Sequence, residues 1–441
     1  MRRTVLAFTL LLCAGHVGNG TPQDAPQDKP QGEPQGQPPV KPDLEPHELE
    51  KAIAEAITKG VEWLKKRQKP DGSFGDTITV TYTVGTEKSY TNRPGNTALS
   101  LLTLLKSDVP PNDPAITKGF KLAHEYLAKK GNLRSNYDRG IMLMAMEARY
   151  EATLVHKMKK DGEKVTERAG DFKEPKYSLS GVDAGVAAGI VKELTTEQTK
   201  KGGWRYGSGF SISGCDEDIS ATQIVLLGLK SATRMKLVVP PGNFFKAMDF
   251  IMNSQEKDGL KMERPPVGMP TQLDPRKTYV SNGEDRVRGW AYVTKSDLPH
   301  ETLVTGSMTC AGIGGLLICK SALGTQIPPK INLQVEQSIY DGFAWLTKNW
   351  TLEWNPLSAR GHFYYLYGIE RVGTMGLYEQ IGSHLWFNEG SQVLVKKQAP
   401  DGHWTDLETE PADLYATCFA LLFLKLGTVS IGNVMTGPRT Q

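Results

Sequence analysis

Gln68-Lys69-Pro70-Asp71-Gly72-Ser73-Phe74, Gln255-Glu256-Lys257-Asp258-Gly259 and Gln398-Ala399-Pro400-Asp401-Gly402-His403-Trp404 are three versions of one phrase, each closing an amphipathic stretch. A related Gly202-Gly203-Trp204 lies between the first two. Asp and Gly stop a helix, because Gly tolerates the left-handed backbone that a helix end often needs; the following aromatic then packs on a neighbour. One helix stop recurring with the same chemistry marks a repeat architecture.

Working outward from these stops, helical stretches begin near Glu48, Asn96, Ala115, Asp138, Gly181, Asp218, Gly242, Thr305, Leu333, Ser358, Ser383 and Pro411. The odd-numbered ones are amphipathic. In the first, Ile53, Ile57, Val61 and Leu64 share a face, while Lys51, Glu55, Lys59, Glu62 and Lys66 point to solvent. The even-numbered ones are apolar almost all round, as in Leu101-Leu102-Thr103-Leu104-Leu105, Ile224-Val225-Leu226-Leu227 and Phe419-Ala420-Leu421-Leu422-Phe423. A helix without a polar face must be enclosed by others. Outer and inner helices alternating six times predict an all-α fold, an (α/α)6 toroid of six helical hairpins over residues 47–427. Two departures are expected. Thr77 to Tyr90 alternates with period two and predicts a small inserted β-hairpin, and Leu260 to Glu301 reads as one long loop excursion.

The flanks are different in kind. Met1-Arg2-Arg3, an apolar run from Val5 to Ala14 and small residues to Gly20 read as a signal peptide over 1–20, so an exported, periplasmic or secreted protein is expected. Leu10-Leu11-Leu12-Cys13 fits a lipoprotein signal poorly. Residues 21–46 are Pro/Gln-rich and predict a disordered linker, and 428–441 form a C-terminal tail. No later segment has the ~20 uninterrupted apolar residues of a membrane span. Removal of 1–20 lowers the formal charge from +3 to +1 (50 basic, 49 acidic). Near-neutrality offers no electrostatic reason for a nucleic-acid partner. Cys310 and Cys319, on one helix, stand about 13 Å apart by helical rise, too far to bridge. Buried free thiols are expected.

The Gln-x-x-Asp-Gly-x-aromatic phrases resemble the QW motif of triterpene cyclases, and residues 48–427 resemble the prenyltransferase/squalene-cyclase repeat superfamily. Tyr364-Tyr365-Leu366-Tyr367-Gly368-Ile369-Glu370-Arg371-Val372-Gly373 is similar to segments of exported bacterial members that carry these repeats alone. The resemblance implies the toroid and raises the question of its chemistry. Family cyclases protonate an alkene with Asp-x-Asp-Asp-Thr at the start of an inner helix. Here Asp218 aligns with the first Asp, Thr222 with the Thr, and Ser220 stands where the proton donor belongs. A serine cannot protonate an alkene. Shifting the register so that Asp216 comes first makes Asp218 the donor but disturbs the leucine pattern downstream. Prenyltransferase zinc ligands have no match: Ala416 occupies the histidine position, and Ser307-Met308-Thr309-Cys310 lacks the acid. No metal and no cofactor are expected. Gly214-Cys215-Asp216-Glu217-Asp218 echoes the thioester motif of complement-like proteins, but without the glutamine that forms the bond.

Parallel inner helices would bring six N-termini to one mouth, each with unpaired N–H groups. The candidates gathered there are Asp138, Arg139, Ser220, Gln223, Arg360, His362, Tyr365, Asp413 and Tyr415 for ligand binding, with Asp216 and Asp218 as candidate catalytic acids. Each has a plain structural alternative: Asp138 and Asp218 as helix caps, Arg139 and Arg360 as their ion-pair partners, His362 as a hydrogen-bonded core histidine. Glu284, Asp285 and Glu301 in the excursion are candidate acids for glycoside chemistry. The leading expectation is a small apolar or amphipathic ligand, a lipid or isoprenoid, or a partner, held in the ring centre without terpene cyclisation. The alternatives are an atypical cyclase or prenyltransferase using Asp216 or Asp218, and a carbohydrate-active enzyme.

Overall fold

A computed structural model describes residues 44–75, 78–81, 87–90, 93–130, 133, 135–160, 176–179, 181–207, 217–268, 283–296, 299–406 and 412–427. The expected signal peptide, most of the linker, the tail, Cys215, Asp216 and much of the excursion lie outside them.

Twelve α-helices occur among the described residues: α1 (Pro46–Lys66), α2 (Arg93–Lys106), α3 (Pro114–Lys130), α4 (Asn136–Lys160), α5 (Gly181–Thr196), α6 (Ile219–Arg234), α7 (Pro241–Ser254), α8 (Gly306–Leu323), α9 (Pro329–Lys348), α10 (His362–Gly376), α11 (Trp386–Lys397) and α12 (Ala412–Leu424). The even-numbered helices pack each on the next, and α12 packs on α2, so the inner ring closes. The odd-numbered helices sheathe it. On α1, Leu49, Ala56, Gly60 and Leu64 are buried while Lys51, Glu55, Lys59, Glu62 and Lys66 are exposed. On inner α6, 15 of 16 residues are buried, which is why its sequence carries no polar face. Apolar α8 is likewise buried on every side; length and composition alone would have let it pass for a membrane span. Glycines let α4 and α6 touch backbone to backbone, since a Cβ on Gly140 would stand 2.6 Å from the Ile224 carbonyl oxygen.

The repeated phrase holds the hairpins together. Gln68 Nε2 donates to the Gly72 carbonyl at 3.1 Å and to that of Ala115, on α3, at 2.8 Å. Gln198 does the same with Gly202 and Asn243 on α7, and Gln398 with Gly402 and Ala56 on α1. The last of these stitches the two ends of the chain into a ring. Gly72, Gly202 and Gly402 have φ of +90°, +102° and +102°. A Cβ on them would meet the carbonyl oxygens of Lys118, Lys246 and Lys59 at 2.6, 2.1 and 2.5 Å, so only glycine fits. The aromatic then joins an inner helix to an outer one. Trp404 N–H donates to Thr417 Oγ1 at 3.1 Å and its indole Nε1 to the Leu394 carbonyl at 2.8 Å. Trp204 repeats this with Thr222 and Leu194.

Two short antiparallel strands, β1 (Ile78–Thr81) and β2 (Glu87–Tyr90), form the expected hairpin, with Ile78 opposite Tyr90. The excursion is more ordered than a loop. Strand β3 (Lys261–Glu263) pairs with β5 (Glu284–Arg286), and β4 (Val267–Gly268) pairs with β6 (Gln380–Ile381) beyond α10. It ends on Trp290, whose N–H reaches Thr309 Oγ1 at 3.3 Å and whose indole reaches the Ile251 carbonyl at 2.7 Å. Trp290 is therefore the aromatic of the third repeat, and the excursion is an insertion inside that repeat. Cys310, Cys319 and Cys418 are buried free thiols.

Candidate functional site

The inner-helix N-termini do share a mouth, and described side chains hydrogen-bond to one another across it. Ser220, early in α6, hydrogen-bonds Tyr364 Oη of α10 at 2.9 Å and also the hydroxyl of Tyr137 on α4. Beside them the hydroxyls of Tyr206 and Tyr292 pair, with the Arg205 guanidinium carbon 5.3 and 5.8 Å from their ring centres. Tyr415 Oη donates to Asn96 Oδ1 at 2.7 Å, joining α12 to α2 across the seam of the ring. Burial raises the Tyr415 phenol, and Asp138 and Cys418 add to the shift.

Asp218 is the N-cap of α6: fully buried, its Oδ1 accepts from Ala221 N at 2.6 Å. Burial pushes its carboxyl up to about 7, against the pull of Arg205 and the Ala221 amide, with Glu301 adding to the rise. Its Oδ2 has no hydrogen-bond partner among the described residues.

Two candidates are placed differently from their sequence reading. Asp138 lies inside the first turn of α4; the cap is Ser135, whose Oγ accepts from Tyr137 N at 3.2 Å. Arg139 turns outward, pairing with Glu193 of α5 at 3.0 Å and with Glu197, just past its end, at 2.8 Å. Arg360 is exposed in the loop before α10. Asp413 lies in the first turn of α12, with His403 Nε2 3.9 Å away. His362 follows the structural alternative: Nε2–H donates to the Leu352 carbonyl at 2.7 Å, and burial holds the imidazole down at about 4. Tyr365 is fully buried against Gly306, its hydroxyl without a partner among the described residues. In the excursion, Asp285 is engaged by Arg264 at 2.8 Å and Gln337 at 2.9 Å, Glu284 pairs with Lys261 at 2.7 Å, and Glu301 accepts from Ser296 at 2.5 Å.

The open space lies at the opposite end of the axis. Leu102 and Lys106 of α2, Met144 and Glu147 of α4, Leu227, Lys230, Ser231 and Arg234 of α6, Ile318 of α8, and Tyr367 and Met375 of α10 surround a half-open recess. Gly427, just past α12, completes the lining. Its lining mixes apolar side chains with Lys106, Glu147, Lys230 and Arg234, of which Glu147, Lys230 and Arg234 are themselves buried. Arg234 is held by the Glu147 carboxylate through both of its oxygens, one at 2.8 Å, and Lys106 reaches Glu151 at 2.5 Å. These basic groups sit where they offset the negative ends of the inner-helix dipoles.

Sequence reading missed this end of the ring, and it missed Arg371 and Arg205. The signal available was the i, i+3, i+7, i+11 spacing of Tyr364, Tyr367, Arg371 and Met375, which puts them on one helix face.

No family model matches this chain, and no curated protein does. Among solved structures it is similar to a type II terpene cyclase from Scytonema, at 11% identity and TM-score 0.46, covering 87% of this chain and 98% of that one. It is similar also to an α-1,6-mannanase of Salegentibacter, at 9% identity and TM-score 0.48, covering 85% and 98%. An unsaturated glucuronyl hydrolase from Bacillus follows at 10% identity and TM-score 0.44, covering 85% and 96%. Likenesses this distant assign neither residues nor activity. The ring itself is established by the closed circuit of helix contacts.

Proposed function

We propose that the protein is an exported, squalene-cyclase-like toroid that binds a small apolar or amphipathic ligand on its axis and carries out no terpene cyclisation. One observation carries this reading: where a cyclase would need its proton donor, described side chains are hydrogen-bonded to one another, and a recess lies at the other end of the ring. Ser220 occupies the donor position and is committed to Tyr137 and Tyr364. The recess at the far end is lined by apolar side chains, among them Leu102, Leu227 and Ile318, with a few polar groups, the mixture that ligand sites use.

A cyclase reading retains one point in its favour, the buried Asp218 with its free Oδ2. A carboxyl pushed up to about 7 stays protonated near neutrality, yet it is a weak acid for protonating an alkene. The test is extraction of the purified protein with organic solvent and identification of co-purified lipid by mass spectrometry. A stoichiometric amphiphile is expected. An Asp218-dependent product from an isoprenoid substrate, abolished in Asp218→Asn, would establish catalysis instead.

A further inference from the structure

The loop between α9 and α10 turns large apolar side chains to water, and it is pinned in place while doing so. Asn355 ties it to the start of α8: Oδ1 accepts from Ser307 N at 2.9 Å, and Nδ2 donates to Ser307 Oγ at 3.0 Å and to the Arg360 carbonyl at 2.9 Å. Gly306 N donates to the Pro356 carbonyl at 3.0 Å, so the segment leading into α8 lies against the same loop. On this platform Trp354 is 53% exposed and Leu357 65%, and Leu303, three residues before Gly306, is 54% exposed. Large apolar side chains gathered on a firm surface mark a place of contact with another molecule.

Leu357 breaks two rules at once. Ser358 N donates to the Asn355 carbonyl at 3.0 Å, closing a turn in which Pro356 stands second and Leu357 third. Leu357 has φ of +58°, a conformation that turns give to Gly or Asn at that place. A leucine there strains the backbone and wets its side chain, and burial against another molecule would offset both.

The neighbouring charges point to a second copy of this chain. Glu353 and Arg360 flank the apolar residues. Glu353 is half exposed beside Lys397, at 3.2 Å, and Arg360 is exposed. An acid and a base on either side of an apolar centre are self-complementary. A copy turned about a twofold axis sets its Arg360 against this Glu353, and its Glu353 against this Arg360. A formal net charge of only +3 over 441 residues adds little repulsion between copies.

We propose that the protein forms a twofold homodimer through this loop, with Trp354, Leu357 and Leu303 at its centre and two reciprocal Glu353–Arg360 pairs at its edge. Trp and Arg are the side chains that most often dominate such contacts. The loop lies at the N-terminal ends of α8 and α10, opposite the recess, so each copy keeps its recess accessible.

The test is sedimentation equilibrium of the purified protein over a range of concentrations, where a dimer is expected. Trp354→Ser should weaken it about thirtyfold per copy, and so about a thousandfold for the two copies together. Leu357→Asn should weaken it about tenfold or more. Placed in the monomeric Trp354→Ser background, the same change should leave the melting temperature level or raise it, because Asn suits the positive φ. Glu353→Arg and Arg360→Glu should each weaken the dimer about tenfold or more, and the double variant should restore it. A protein that stays monomeric at every concentration overturns the proposal; binding of that monomer to phosphatidylcholine vesicles through Trp354 would make the patch a membrane face instead. A dimer that survives Trp354→Ser in the folded protein overturns it too, as does a double reversal that fails to restore what the single ones lost.

Discussion

The two ends of this ring are made from the same six helices and are built oppositely. At the N-terminal end the polar groups find one another: Tyr137, Ser220 and Tyr364, then Tyr206 with Tyr292, then Tyr415 with Asn96. At the C-terminal end the polar groups pair along the wall of a recess, Arg234 with Glu147 and Lys106 with Glu151. Hydroxyls and amides at helix starts have orphan N–H groups and one another as partners, so that end can be closed by protein alone. Helix ends rich in basic residues leave space and charge. The contrast separates what holds the ring together from what it has free to offer a ligand.

Breaking the recess wall should have the largest effect. Glu147→Ala leaves the buried Arg234 guanidinium uncompensated and should cost about 3–5 kcal/mol, read by denaturant unfolding. Replacing both partners by Leu and Met should restore most of it, showing that the pair fixes the wall's shape more than its stability.

Asp218→Asn sharpens the contrast through pH. The folded carboxyl titrates at about 7 and the unfolded one at 3.8, so the native state holds the extra proton between these values. Native stability should therefore fall as pH rises from about 4 to 7, by at most a few kcal/mol, and stay level above. Asn keeps the cap and carries no proton, so the variant's melting temperature should gain on the native one across that window. A constant difference from pH 4 to pH 8 would show that Asp218 is not the buried, weakly held acid described.

Gly202→Ala tests the stitching of one hairpin to the next. With φ at +102° and a Cβ only 2.1 Å from the Lys246 carbonyl, it should destabilise by about 2 kcal/mol or more, read by denaturant unfolding. Tyr137→Phe should have the smallest effect, about 1 kcal/mol, for one hydroxyl lost from the filled mouth. A large loss of ligand binding in Tyr137→Phe would mean that the binding end has been placed at the wrong mouth.

Much of the ring was legible because its signals are local. The Gln68, Gln398 and Gly402 stops, the charged stripe of α1 and the unbroken apolar run of α6 each report on their own helix. The third repeat was harder to read, because thirty residues intervene between Gly259 and Trp290. The threonines that receive the aromatic N–H follow it by 23, 18, 19 and 13 residues, so no fixed spacing announces them. The site was the least legible. Arg139 and Gln223 were grouped as mouth residues, yet one pairs outward with Glu193 and Glu197 and the other faces α8 without a hydrogen-bond partner among the described residues.

Periodicity and helix stops alone determined that greasy inner helices stand in a closed circle inside amphipathic ones, because burial pattern is a property of each segment. Which polar side chains are satisfied, and by which partners, was decided only by tertiary packing. An inner helix is enclosed on every side, so its own sequence gives no direction to a polar residue. The partner is set by helices far away in the chain, as Ser220 with Tyr364 shows.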